Sequence, residues 1–236
     1  MTLSNLCQCI SKGNLWGVLK MVGEFSLNGI EVKFFGHASF ALLGSKRIYI
    51  DPFVLPAHAE MADIIISTHD HFDHFSLEHI KKLQKADTVV VCHPKSAKKV
   101  SGNVKTIEPG HSIRVDDVNI KCVEGYNVGK PYHPKGSNNG VIIEMDGKKF
   151  YHSGDTDFIP EMKDLHQENI DVAFLPIGGK YTMDAKEAAE AAKAIKPKIA
   201  VPMHYNSGKY GGEGIEADPA EFIKALVGQG IVVKIL

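Results

Sequence analysis

Thr68-His69-Asp70-His71-Phe72-Asp73-His74 places three imidazoles and two carboxylates in one short stretch, directly after an apolar run. Imidazole and carboxylate are the donors that divalent ions take from proteins, so grouped His and Asp read first as a metal site. His69 and His71 are two apart, and in an extended segment both point to one side and grip one cation. Asp73 and His74 lie further on and must reach a second position. Two adjacent ion sites follow. A solvated surface turn is the plain alternative, but such a turn has no need of an acid and an imidazole beside the same pair.

A dinuclear site needs more donors than this loop holds, and later strand ends supply them. Tyr151-His152-Ser153-Gly154-Asp155-Thr156-Asp157 closes an apolar run on a Gly-containing turn, which puts Asp155 where a carboxylate can bridge two cations. Pro202-Met203-His204-Tyr205 does the same for an imidazole. For the remaining ligand His133, in the polar loop Tyr132-His133-Pro134-Lys135-Gly136, competes with His152. Three further side chains read as pocket-lining or ligand-orienting. His37 follows a glycine at a strand end and is a pocket residue, an extra ligand or a core imidazole; Asp51, locked by Pro52, orients a ligand histidine or serves its own turn; His152 is the third. Asp70 and Asp157 read as solvated or supporting carboxylates. Lys135 and Lys180 border the pocket on Gly-rich loops or are ordinary surface lysines.

The elements that must position these groups come in two batches. Residues 30–35, 40–43, 47–50 and 64–67 read as strands, followed by a helix from the Ser76 cap to about residue 85, a strand over 88–92 and a short helix near Pro94. Residues 105–107, 113–115 and 118–123 open the second batch. Residues 141–145 and 148–151 form a hairpin on Asp146-Gly147, since glycine tolerates the positive φ of such turns. Strands over 172–175 and 199–201 flank a helix over 183–195, and a helix over 219–227 precedes a closing strand over 231–236. Two sheets packed face to face with helices outside satisfy this order, an α/β sandwich.

At 236 residues the chain fits one domain, read as residues 30–236 behind an N-terminal extension, 1–29, of unassigned role. With 44% hydrophobic and 23% charged residues and a formal net charge of -1, no extreme field points to an obligate nucleic acid or an anionic membrane. The substrate class is a small molecule, and a homo-oligomer is left open. Cys7, Cys9, Cys92 and Cys122 have no disulfide-framework spacing, which suits a reducing cytoplasm. Cys7-Gln8-Cys9 reads as plain thiols or a soft-metal pair. The first residues lack a secretory apolar run; residues 15–25 read as a short helix or loose extension, and Met21 is a second candidate start.

His-x-His-x-Asp-His, a histidine before the next hairpin, Gly-Asp-Thr and a late Met-His together resemble the metallo-β-lactamase superfamily. Phe35-Gly36-His37-Ala38-Ser39-Phe40, Ile50-Asp51-Pro52, Pro176-Ile177-Gly178-Gly179 and Met183-Asp184 are similar to phrases of its branch of uncharacterised metal-dependent hydrolases, related to the ascorbate-phosphate lactonases and N-acyl-phosphatidylethanolamine phospholipases. The resemblance runs from about residue 30 to the C-terminus. It implies a four-layer αββα sandwich, with His69, His71 and His133 on one ion, Asp73, His74 and His204 on the other, and Asp155 between them. Asp73 and Asp155 are then the catalytic carboxylates, and a metal-bridging hydroxide cleaves an ester-like bond, a phosphodiester or a lactone. Zinc suits so many imidazoles, and manganese or iron suits the carboxylates. The alternatives are a non-catalytic metal-binding or sensing protein on the same fold, and redox chemistry at a di-iron site.

Overall fold

The computed structural model describes residues 23–211 and 215–236. Within them, two seven-stranded sheets follow one plan. The first lays β1 (Gly23–Leu27), β2 (Ile30–Gly36), β3 (Ser39–Leu43), β4 (Arg47–Ile50), β5 (Ile64–Ser67), β6 (Val89–Cys92) and β7 (Asn103–Thr106) side by side, antiparallel as far as β4 and parallel beyond it. The second does the same with β8 (Ser112–Val115), β9 (Val118–Gly125), β10 (Asn138–Met145), β11 (Lys148–His152), β12 (Val172–Pro176), β13 (Ile199–Met203) and β14 (Val232–Val233), parallel from β11 onward. Each parallel half needs crossovers, and these carry α1 (Leu77–Leu83), α2 (Pro94–Ala97), α3 (Ala185–Ile195) and α4 (Pro219–Leu226) to the outer faces.

Apolar residues on both sides of a strand explain the layering. In β5, Ile64 and Ile66 pack between the sheets while Ile65 faces the helices of the first half. In β12, Val172 and Phe174 enter the same central layer, and Ala173 and Leu175 pack under the second half's helices. Strands covered on both faces read as continuous apolar runs, which is how these two appear in the sequence. The result is the expected four-layer αββα sandwich.

Local chemistry sets the element boundaries. Asp146 (φ 51°) and Gly147 (φ 70°) make the β10–β11 turn. α3 begins at Ala185 rather than at residue 183, because Asp184 caps it. The Asp184 carboxylate accepts from the N–H groups of Lys186 and Glu187 at 2.8 Å, and the Glu187 carboxylate accepts from the Asp184 N–H at 3.0 Å. Strand β1 is a departure from the helix or loose extension expected to reach residue 25. Asn28 and Gly29, both with positive φ, fold it back on β2 as a two-residue hairpin, and that Asn-Gly pair is the signal that reveals it. The closing strand shortens to Val232–Val233, and Pro160–Glu168 forms 3₁₀ turns where no element was expected. Residues 1–22 lie outside the described residues, and with them Cys7, Cys9 and Met21. Among the described residues no helix is long and apolar enough to cross a membrane.

Candidate metal centre

Most of the donors gather where parallel strands of both sheets end, joined by His37 after β2 and His133 from the β9–β10 loop. The loop after β5 carries His69, His71, Asp73 and His74. It is a tight turn, not an extended segment, with the N–H groups of His74 and Phe75 donating to the His71 carbonyl. The turn presents different nitrogens of its first two imidazoles, so that His69 Nε2 and His71 Nδ1 stand 3.1 Å apart and His133 Nε2 lies 3.2 Å from His71 Nδ1. These three form one donor group; His37, Asp73, His74 and His204 form a second; His69, His74 and Asp155 a third that joins them. Asp155 touches both sides, with His204 Nε2 at 3.0 Å, His74 Nε2 at 3.3 Å and His133 Nε2 at 3.4 Å.

The strand ends are held in an unusual backbone state. His37, Asp51 and His204 all have positive φ, at 57°, 44° and 56°. Each such non-glycine residue costs about 1–3 kcal/mol and persists only where its surroundings over-determine it. Here the His204 N–H, at the end of a second-sheet strand, donates to the His37 carbonyl of the first sheet at 2.7 Å. Gly178 leaves room for that turn, since a Cβ there would stand 2.6 Å from the His204 carbonyl oxygen.

Hydrogen bonds away from the centre choose the tautomers. Thr68 Oγ1 donates to Asp51 Oδ2 at 2.8 Å and therefore accepts from His69 Nδ1 at 3.0 Å. His74 Nδ1 donates to the same Asp51 oxygen at 2.7 Å. One buried carboxylate thus turns the Nε2 atoms of two histidines inward. Asn127 Oδ1 accepts from His133 Nδ1 at 3.1 Å and from its backbone N–H at 2.9 Å. Ser207 Oγ lies 2.7 Å from His37 Nδ1, leaving His37 Nε2 facing the second donor group, 3.1 Å from Asp73 Oδ2.

These residues fit a cation. His37 Nε2, His74 Nε2, His204 Nε2 and Asp155 Oδ1 are fully buried and none has a hydrogen-bond partner, although carboxylate oxygens or imidazole nitrogens stand 3.0–3.3 Å from them. Close approach without hydrogen-bond alignment is the arrangement of lone pairs aimed at a shared point. The charges agree. Burial disfavours a proton on His74, yet Asp155 and Asp51 raise its pKa well above the ordinary histidine value. Asp155, despite its burial, is held far below the carboxylate range by His204 and His74. Asp73 is likewise low, because His37 and His74 outweigh burial. Burial, reinforced by His204, pushes His37 down to about 4, and burial lowers His69 and His133. A divalent ion supplies the positive charge these carboxylates demand, in place of a proton on His74, beside the imidazoles of His37, His69 and His133 that burial keeps from being protonated.

The structure does not bring His152 to the donors. Its Nε2 donates to the Ala38 carbonyl at 3.0 Å and its Nδ1 accepts from the Gly154 N–H at 3.2 Å, between the rings of Phe40 and Phe174. It supports the turn that carries Asp155. Asp157 accepts from Lys130, Lys135 pairs with Glu161, and Asp70 meets Lys99 at the rim. Thr68, Asn127 and Ser207 went unassigned in the sequence; only Thr68, adjacent to His69, carried a local cue. A cleft of about 440 Å³ opens over the donors, and Phe72, Tyr132, Tyr181 and Ile215 contribute to its walls.

A four-layer αββα sandwich with His and Asp donors at its strand ends defines a metallo-β-lactamase fold. Residues 31–204 match the beta-lactamase superfamily domain, and the chain belongs to that superfamily. It is 39% identical over 221 residues to a UPF0173 metal-dependent hydrolase of Thermococcus onnurineus, covering 88% of this chain and 96% of that protein. Among solved structures, a Parabacteroides distasonis protein described as a metal-dependent hydrolase superimposes with a TM-score of 0.79 at 34% identity, covering 91% of this chain and 97% of that one. A metallo hydrolase from Ignicoccus hospitalis gives a TM-score of 0.72 at 27% identity, covering 88% and 94%.

Proposed function

We propose that this protein hydrolyses an ester-type bond, a phosphodiester or a lactone, in a small substrate, using two divalent ions, with zinc favoured. His69, His71 and His133 hold one ion, Asp73, His74 and His204 the other, and Asp155 lies between them. The observation that carries this reading is the convergence of buried, unpartnered imidazole nitrogens on Asp155 at the floor of an open cleft. A closed structural site has four ligands and no cleft above it, which weighs against a purely metal-binding protein.

When bound, such ions bring the pKa of a water toward neutral and offset charge developing on the substrate oxygen. The protein's own part is positional. Asp51, through Thr68, and Asn127 hold three ligand imidazoles in one tautomer, so no reorientation accompanies the reaction. The cleft, about 440 Å³, admits a ligand of small-molecule size. The buried Cys92 thiol, whose pKa burial raises to about 11, takes no part and suits a reducing cytoplasm.

The test is metal per chain in wild type and His133→Ala, followed by a screen of phosphodiesters and lactones with and without chelator. About two ions, falling in the mutant, with chelator-sensitive turnover, is the expected result. One ion or none, unaffected by the mutation, would overturn the dinuclear reading.

A further inference from the structure

The cleft above the donors is unlike a site built for a polyanion. Apart from the donors, its walls are Phe72, Tyr132, Tyr181, Ile215 and one charged side chain, Asp70. Among the described residues no lysine or arginine lines it. Three lysines of the adjoining loops pair with carboxylates, and a fourth, Lys180, stands over the Tyr181 ring at 4.6 Å. Lys130 reaches Asp157 at 2.8 Å and the Thr182 carbonyl at 2.7 Å, Lys135 sits 2.8 Å from Glu161, and Lys99 lies 3.4 Å from Asp70. The cations at the rim, Lys99 against Asp70 and Lys180 over the Tyr181 ring, are thus set against groups of the protein itself, and the wall offers a substrate arm mainly aromatic and aliphatic surface.

The apolar groups are placed for contact. Phe72 is 63% exposed although it lies between two metal-facing residues, and its ring leans edge-on against Phe53 at 5.8 Å. Tyr132 is 40% exposed and meets the Tyr181 ring edge-on at 4.6 Å. Leaving large aromatic surface in water forfeits burial free energy that a ligand recovers when it covers them. Ile215 is buried and lines the cleft.

We infer that the substrate arm projecting from the metal centre is uncharged and apolar. Given the hydrolase reading above, on which this rests, the bond cleaved is then a carboxylic ester or lactone bearing a hydrocarbon or aromatic arm, not a phosphodiester. Hydrolysis joins the water oxygen to the acyl carbon and breaks the acyl carbon–oxygen bond. One water proton goes to the departing alkoxide and the other leaves with the carboxylic acid, with no change of oxidation state. Phe72 and Tyr132 set specificity by contact with the arm.

Equilibrium binding separates this inference from the hydrolase reading. Straight-chain carboxylates from butanoate to octanoate, and inorganic phosphate, are titrated into the metal-loaded protein, with metal content measured for each variant. In wild type the affinity rises about three- to fourfold per methylene, the increment for burying one such group. In Phe72→Ser and Tyr132→Ser the gradient flattens while phosphate affinity is retained. A wild-type affinity independent of chain length, or phosphate binding tighter than octanoate, overturns the inference. Turnover is scored apart. A steep gradient without hydrolysis of any ester or lactone sinks the hydrolase reading and the ester assignment with it and leaves the apolar arm standing, whereas phosphodiester turnover without a gradient sinks the inference and keeps the hydrolase.

Discussion

The Asp51 carboxylate stands 2.7 Å from Nδ1 of His74, and both side chains are completely buried. The same carboxylate accepts from the Thr68 N–H and hydroxyl at 2.8 Å, so every bond it makes serves the ligand turn. Asp51→Asn puts an amide NH₂ group against those donors. Metal affinity is expected to fall about 10- to 100-fold, as when other ligand-orienting groups are removed. Competition with a coloured chelator measures it, and unchanged affinity would mean that Asp51 serves only its own turn.

Asp73 faces the second donor group from a half-buried position. Asp73→Ala is expected to abolish turnover while leaving the circular dichroism spectrum and cooperative unfolding intact. Wild-type activity in a metal-replete assay would sink the hydrolytic mechanism.

Gly154 has φ +61°, and a Cβ there would run into the Asn138 amide, which also accepts from the Asp155 N–H at 3.2 Å. Gly154→Ala therefore strains the turn and displaces the Asp155 carboxylate. A loss of about 1–3 kcal/mol in urea unfolding is expected, together with reduced metal content. Normal stability with two ions retained would show that the turn adapts freely.

Acid sensitivity has a source remote from the His and Asp donors. Burial pushes the Asp171 carboxyl up, but Lys198 at 2.8 Å and the Lys149 N–H at 3.0 Å more than offset it, and its pKa lies below the ordinary value. A depressed carboxyl contributes stability that is fully present above its unfolded pKa of about 3.9 and is lost as pH falls through the folded value. The stability gap between wild type and Asp171→Asn should be constant from about pH 5 to 7 and close below about pH 4. Urea midpoints against pH measure it; a gap that persists in acid would exclude the ionised carboxylate as its source.

The sequence by itself supplied the candidate ligand types and the layered α/β order, because these signals are local. Alternation and apolar runs show in four to eight residues, Asp146-Gly147 announces its hairpin, and His69 to His74 lie in one loop. Tertiary structure alone decided which groups act on which. Ser207 reaches His37 across 170 positions and Asp51 reaches His74 across 23, contacts created by strand pairing and the meeting of two sheets. The same long-range packing gave His37 a place facing the donors and His152 a place beneath them, although both are single histidines beside a glycine or serine turn in the sequence. It also set the cleft's charge, since committing Lys130 and Lys135 to Asp157 and Glu161 depends on loops that meet only in the folded chain.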